Sequence, residues 1–421
     1  MSSVVGKGSF EQALDDLKVR EICATAFSQI PLDGKKVLVL IPDHTRHAKI
    51  GLFFRIVCDL LLARTSALDF LIATGTHAPM EMERIYRHLG ITIEEHREKY
   101  SRVRFFNHEH WNLPELVTIG RLSAEEILAL TNGVFSTPID VTINRKAVEY
   151  DHILLITPVV PHEAMGFAGG NKYFFPGIAG LEVVETFHWL AATITNTAVN
   201  GVKDTLTRRV IDRAVEFLDT PRDCVAYAVN DQDQPMCLFV GEPKEAWSRA
   251  ADYSAKLHIQ YVQQPYRTIL AITPSMYEEL WVGGKAMYKL EPVVADGGEL
   301  IIYGPQIREF SFVHGPLIRR LGYHVLEYFT KQWERFSKEP KLILAHSTNV
   351  RGDGRYEGGV ERPRIRVTLA SAISEESCRS VNLGFRDYRS INLDEWRETQ
   401  NGDVLVVENA GQVLYRLQNS L

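Results

Sequence analysis

The sequence predicts an α/β fold: two α/β domains with largely parallel sheets and the active site in the cleft between them. Three observations carry this. At 421 residues the chain exceeds what one ordinary core accommodates. Short apolar runs without polar alternation recur at 36–41, 68–73 and 151–156, the pattern of strands buried on both faces. The first two runs each lead through a polar loop into a helical pattern, at 52–62 and 81–88, as in βα units whose ligands sit at the strands' carboxyl ends.

The remaining elements follow in order. Residues 141–144 read as a further strand and 204–218 as a helix with apolar residues at helical spacing. The polar stretch 249–265 marks a change of domain. Runs at 268–272, 297–302 and 341–345 read as strands of a second α/β domain, and 403–407 as a last strand. The expected division is 1–257, 258–397 and a terminal segment 398–421 packing back on the first domain. The Gly- and Arg-rich stretch 349–364 is expected to be mobile or to cover the cleft.

Composition narrows the function. Hydrophobic content of 45% and charged content of 24% are globular values. A net charge of −6 without a basic stripe argues against nucleic acid as a partner. No apolar run is long enough to span a bilayer, so no membrane partner is expected. Five scattered cysteines without a C-x-x-C read as reduced thiols, which predicts a cytoplasmic protein.

Chemistry-bearing residues gather after the strand-like runs. The first run ends in Asp43-His44-Thr45-Arg46, the second in Thr74-Gly75-Thr76-His77. Asp43 there is also readable as a helix cap, and His77 as a polar loop residue. The run ending near Val160 delivers residues 161–180, with five glycines and two prolines, hence a loop. His162 stands at its mouth, Lys172 ten positions on, and His188 sixteen further. A lysine in such a loop binds a phosphate or, once desolvated, acts as a nucleophile. The loop is neither a P-loop nor a G-x-G-x-x-G fingerprint. His188, between Phe187 and Trp189, is also readable as a core histidine. His108 and His110 form an H-x-H pair without a third ligand nearby. If the runs share one parallel sheet, Asp43, Arg46, His77, His162 and Lys172 converge at one edge. Lys285, in Gly283-Gly284-Lys285, reads by itself as a surface lysine.

Taken together, the loop from His162 through Gly-Gly-Asn-Lys172 and Pro-Gly-Ile to His188, with Asp43-x-Thr45-Arg46 and Gly75-Thr76-His77, resembles the nickel-pincer lactate racemase family. The resemblance covers most of the chain but is strong only in these motifs. It implies a nickel ion and a pyridinium-3-thioamide-5-thiocarboxylic acid mononucleotide attached covalently to Lys172, with residues 1–257 as the cofactor-binding domain. His188 would be the metal ligand, and His77 and His162 the catalytic acid/bases. Asp43, Thr45, Arg46, Gly75 and Thr76 would hold the nucleotide, while Arg46 and Lys285 would bind the substrate carboxylate. The activity implied is that of a 2-hydroxyacid racemase or epimerase, an isomerase working by reversible hydride transfer. Its partners would be a small 2-hydroxy acid and cofactor-maturation proteins. Asn171 stands where the family usually has Arg, His47-Ala48-Lys49 where prolines are common, and Trp281-Val282 where Tyr-Gln is common. The last two changes point to a substrate other than lactate. The alternatives are a nicotinamide-dependent oxidoreductase and a nickel-pincer-binding protein without racemase activity.

Overall fold

The computed structural model describes residues 4–45, 49–400 and 402–418. Arg46 and His47 lie outside the described residues. The chain forms two compact units, and the path between them is not sequential. The first unit comprises residues 1–160, 167–184 and 203–257, and the second 161–166, 185–202 and 258–421.

The first unit is built on a seven-stranded sheet. Its strands are β1 (Val5–Gly8), β2 (Lys36–Ile41), β3 (Ala67–Ile72), β4 (Phe105–Asn107), β5 (His152–Pro158), β6 (Arg222–Val229) and β7 (Pro235–Gly241). They lie in the order β1-β7-β6-β5-β2-β3-β4. The steps from β6 through β4 are all parallel, whereas β7 runs antiparallel to both β6 and β1. Val37, Val39, Ile41, Phe70 and Ile72 pack under helices Asp16–Gln29 and Ile50–Leu61, which bury Val19, Ile22, Phe27, Phe53 and Val57. Leu38, Leu40 and Leu71, on the opposite face, are equally inaccessible. That double burial is why these runs show no polar alternation.

The strand expected at 141–144 exists as Ile139–Asn144, but it forms an antiparallel pair with Leu116–Leu122 outside this sheet. A strand's composition does not name its partner.

The second unit has a five-stranded, all-parallel sheet. Its strands are β8 (Tyr266–Ile272), β9 (Val294–Gly304), β10 (Arg366–Ser371), β11 (Gly384–Phe385) and β12 (Val404–Val407), in the order β11-β10-β9-β8-β12. Two expectations change here. The run at 341–345 is not a strand but the start of helix Lys341–Arg351, preceded by Pro340 and buried from Leu342 to Thr348. A short apolar run reads alike in a strand and in a buried helix. Residues 404–407 pair with β8, and Leu414–Leu417 pairs with Ile259–Val262, so the terminal segment belongs to the second unit. The stretch 349–364 forms a two-stranded hairpin, Gly354–Glu357 with Val360–Pro363.

Candidate functional site

In the first unit, the loops following β2, β3 and β5 meet. Asp43, past the end of β2, is buried at 4% exposure. One of its oxygens accepts from the Thr45 amide at 3.0 Å and from the Thr45 hydroxyl at 2.7 Å. The other takes the Nδ1 proton of His77, the residue at the end of the β3 loop. This orients the imidazole and leaves Nε2 as its basic atom. The β3 loop is tied to the lysine loop through backbone. The Gly75 amide donates to the Gly177 carbonyl at 3.1 Å, and the Gly177 amide donates to the Lys172 carbonyl at 3.1 Å. Asp43, Thr45, Gly75, Thr76, His77 and Lys172 are thereby brought together on loops that follow neighbouring parallel strands.

His108 and His110 are part of this scaffold, not a metal pair. His108 is fully buried; Nε2–H donates to the Ala179 carbonyl at 2.9 Å, and Nδ1 accepts from Asn144 at 3.3 Å. Burial depresses its pKa to about 4, so the ring is neutral and both its nitrogens are committed. His110 Nδ1–H donates to the Gly75 carbonyl at 3.0 Å. The Thr74 hydroxyl closes the set on the His108 carbonyl at 2.5 Å. The H-x-H spacing was visible in the sequence; its job as a tether of two loops was not.

His162, His188 and Lys285 belong to the second unit. His162 is buried at 4% exposure; Nδ1 accepts from the Ala164 amide at 3.2 Å and lies 3.5 Å from a Glu163 carboxylate oxygen. His188 projects from helix Leu181–Ile194 and is partly buried. His346 is held at Nδ1 by the Tyr288 hydroxyl, 2.9 Å away. Burial, helped by the charges of His314 and His188, lowers its pKa to about 3. The Trp281 ring lies tilted against two imidazoles, with ring centres 4.0 Å from His346 and 4.6 Å from His314. Lys285 is not a surface residue: it is 7% exposed, one helical turn after Trp281, with its amine 5.3 Å from the Tyr277 ring.

The residues suit an organic metallocofactor better than a bare ion. Among the described residues no three His, Cys, Asp or Glu side chains gather to hold a metal. His44 Nδ1 and Asn171 Oδ1, adjoining Asp43 and Lys172, are buried polar atoms without a partner. A Cβ placed on Gly75, at φ 59°, would meet open space, so its loop leaves room for a ligand.

Comparison with known proteins identifies relatives of this chain and of its fold. A model of the lactate racemase N-terminal domain matches residues 6–200. The lactate racemase of Thermoanaerobacterium thermosaccharolyticum is 27% identical over 159 residues, 37% of this chain and 33% of that protein. The match thus spans about a third of that relative's length. A crystal structure from Thermotoga maritima superposes with a TM-score of 0.88 at 32% identity, covering 96% of this chain and 99% of that one. The lactate racemase apoprotein of T. thermosaccharolyticum superposes with a TM-score of 0.68 at 17% identity, covering 98% and 100%, a likeness of fold. Fold and residues define a mixed α/β protein of two units with a lysine-bearing glycine loop tied to an Asp–His pair. Residues 6–200 belong to the family of lactate racemase N-terminal domains, and the whole chain shares the fold of the lactate racemase apoprotein. Among the described residues no helix is long and apolar enough to cross a membrane.

Proposed function

We propose that this protein is an isomerase, a racemase or epimerase of a 2-hydroxy acid that works with a nickel-pincer nucleotide. The observation that supports it most is the Asp43–His77 pair on a loop bonded through Gly75 and Gly177 to the backbone of Lys172. An oriented base on a loop bonded to the loop of a lysine is what proton removal next to a covalently held cofactor requires. Such a nucleotide, when bound, supplies reversible acceptance of a hydride.

Everything else falls to the chain's own side chains. The Lys172 amine is the attachment point, and His188 the one protein ligand to nickel. Asp43, Thr45, Gly75 and Thr76, with Arg46, hold the nucleotide. His77, with Nδ1–H on Asp43, presents Nε2 to take the hydroxyl proton. His162 serves as the acid in that direction, with its Nδ1 fixed by the Ala164 amide at 3.2 Å. For the other enantiomer the two exchange roles. Lys285, with Arg46, pairs with the substrate carboxylate, and its burial strengthens that pairing. The substrate is a 2-hydroxy acid larger or more polar than lactate, because Trp281 and the two histidines against its ring stand one turn from Lys285.

The test is intact-protein mass after co-production with cofactor-maturation proteins. Wild type is expected to gain one adduct, and Lys172→Ala to remain at apoprotein mass with an unchanged circular dichroism spectrum. Equal masses would overturn the attachment. In deuterated water, deuterium entering the α-carbon at the turnover rate would overturn the hydride route.

A further inference from the structure

The helix Leu206–Val215 faces the lysine loop with two charged residues one turn apart. Arg208 is 3% exposed. Its Nη1 donates to the Gly169 carbonyl at 3.3 Å and its Nη2 to the Phe167 carbonyl, while Nε is buried without a partner. Its guanidinium lies 4.1 Å from the centre of the Trp247 ring, and the Trp247 indole N–H donates to the carbonyl between those two, Ala168, at 2.8 Å. Three consecutive carbonyls are therefore held from one side. One turn along the helix, Asp212 accepts from the Asn171 side chain at 3.0 Å and pairs with Lys244 at 3.1 Å. Between these grips the backbone passes through Gly169 and Gly170 at φ 86° and 58°, and a Cβ on Gly170 would meet Trp247 Cβ at 2.8 Å. The Gly170 amide donates to the Thr157 hydroxyl at 3.3 Å.

A buried guanidinium is a costly way to hold a loop. Burial lowers its pKa to about 10, opposed by the charge of Asp212. Neutral packing would fill the same space, but it would not fix three successive carbonyls and the side chain preceding Lys172. We infer that Arg208, Trp247 and Asp212 are positioning residues for Lys172: they lock residues 167–171 in the one backbone path that presents its amine for cofactor attachment. This rests on Lys172 being the attachment point.

The variants are Arg208→Met, Arg208→Lys, Trp247→Phe and Asp212→Ala, with Ile211→Val as a control. Ile211 is fully buried on the same helix, so its truncation weakens packing alone. Two readouts are taken: hydrogen exchange of the 168–174 amides in the unloaded protein, and the rate of adduct accumulation by intact mass. Arg208→Met and Asp212→Ala are expected to raise exchange and slow loading by about tenfold or more, the size of one or two lost hydrogen bonds. Trp247→Phe, which keeps the ring and loses one donor, falls between, and Arg208→Lys recovers only part. If Arg208→Met does not fold, Asp212→Ala and Trp247→Phe decide. Wild-type exchange and loading in those variants would overturn the inference, as would equal effects in Ile211→Val. Wild-type protein that never gains mass overturns the attachment reading instead, and exchange still shows whether the helix orders the loop.

Discussion

Replacing Asp43 by Asn tests the proposed base directly. Asn is close in size, and its amide oxygen can still accept from the Thr45 amide and hydroxyl, so the turn survives. What changes is the group facing His77. An amide NH2 points at Nδ1 where a carboxylate stood, so the neutral ring moves its proton to Nε2 and loses its basic atom at the working end. A hydrogen bond to a charged group is worth about 1.5–3 kcal/mol, and Asp43, at 4% exposure, is little screened. Each 1.4 kcal/mol or so is tenfold in rate, which gives roughly 10- to 10²-fold from the lost charge. The wrong tautomer carries the total to about 10²–10⁴-fold, the usual span for a general base. The assay is kcat/KM for each enantiomer with fully loaded enzyme, together with the adduct mass and thermal midpoint of the variant. For a pair of enantiomers the equilibrium lies midway by symmetry, so both directions must fall by the same factor. A loss smaller than tenfold at full loading would refute the role of the pair. So would a loss that merely tracks reduced loading.

Two predictions concern stability. Glu291 is buried at 1% exposure, accepts from the Asp353 amide at 2.6 Å, and is pushed up to about 7 from 4.5 by burial and then by the charge of Asp353. A carboxyl raised on folding holds its proton longer in the folded state, so its contribution to stability falls as pH climbs from about 4.5 to 7. Glu291→Gln is therefore expected to exceed wild type in urea-denaturation stability at pH 8 and to gain nothing at pH 4; a pH-independent difference would exclude this. The paired difference matters because buried neutral histidines such as His108 push the opposite way, losing stability as pH falls below their ordinary value. His108→Phe leaves the Ala179 carbonyl and the Asn144 amide without their imidazole partner, so about 2–4 kcal/mol should be lost, read as a lower urea midpoint; an unchanged midpoint would show that these bonds are replaced.

The sequence disclosed the parallel strands because their burial leaves a one-letter trace. Val37 to Ile41 is apolar throughout, as is Leu68 to Ile72 apart from the buried Asp69, since both faces of these strands are covered. Strands Arg222–Val229 and Pro235–Gly241 went unread: Cys, Ala, Met and Pro interrupt them, though both are almost wholly buried. The candidate site residues Asp43, His77, His162, Lys172 and His188 stand out in the sequence because of the short motifs they belong to. The division of the chain was not. His162 and His188 fall in the second unit and Lys172 in the first, and nothing in the composition of residues 161–202 marks these crossings.

The residues that hold the lysine loop were illegible for a different reason. Arg208 and Trp247 lie far along the chain from the carbonyls they bind. Read alone, an arginine in an amphipathic helix is a solvated charge. What they recognise is backbone, and a carbonyl has no letter in the sequence. A motif search therefore finds groups that react and overlooks groups that hold main chain. His108 makes the same point from the other side. Its letter was conspicuous and suggested metal, yet its nitrogens are taken by the Ala179 carbonyl and Asn144. The turns of the lysine loop, residues 161–180, are almost wholly buried and pass through left-handed glycines at 166, 169 and 170. Their placement comes from buried donors on neighbouring elements, which makes those donors the positions where substitution should uncouple cofactor attachment from folding.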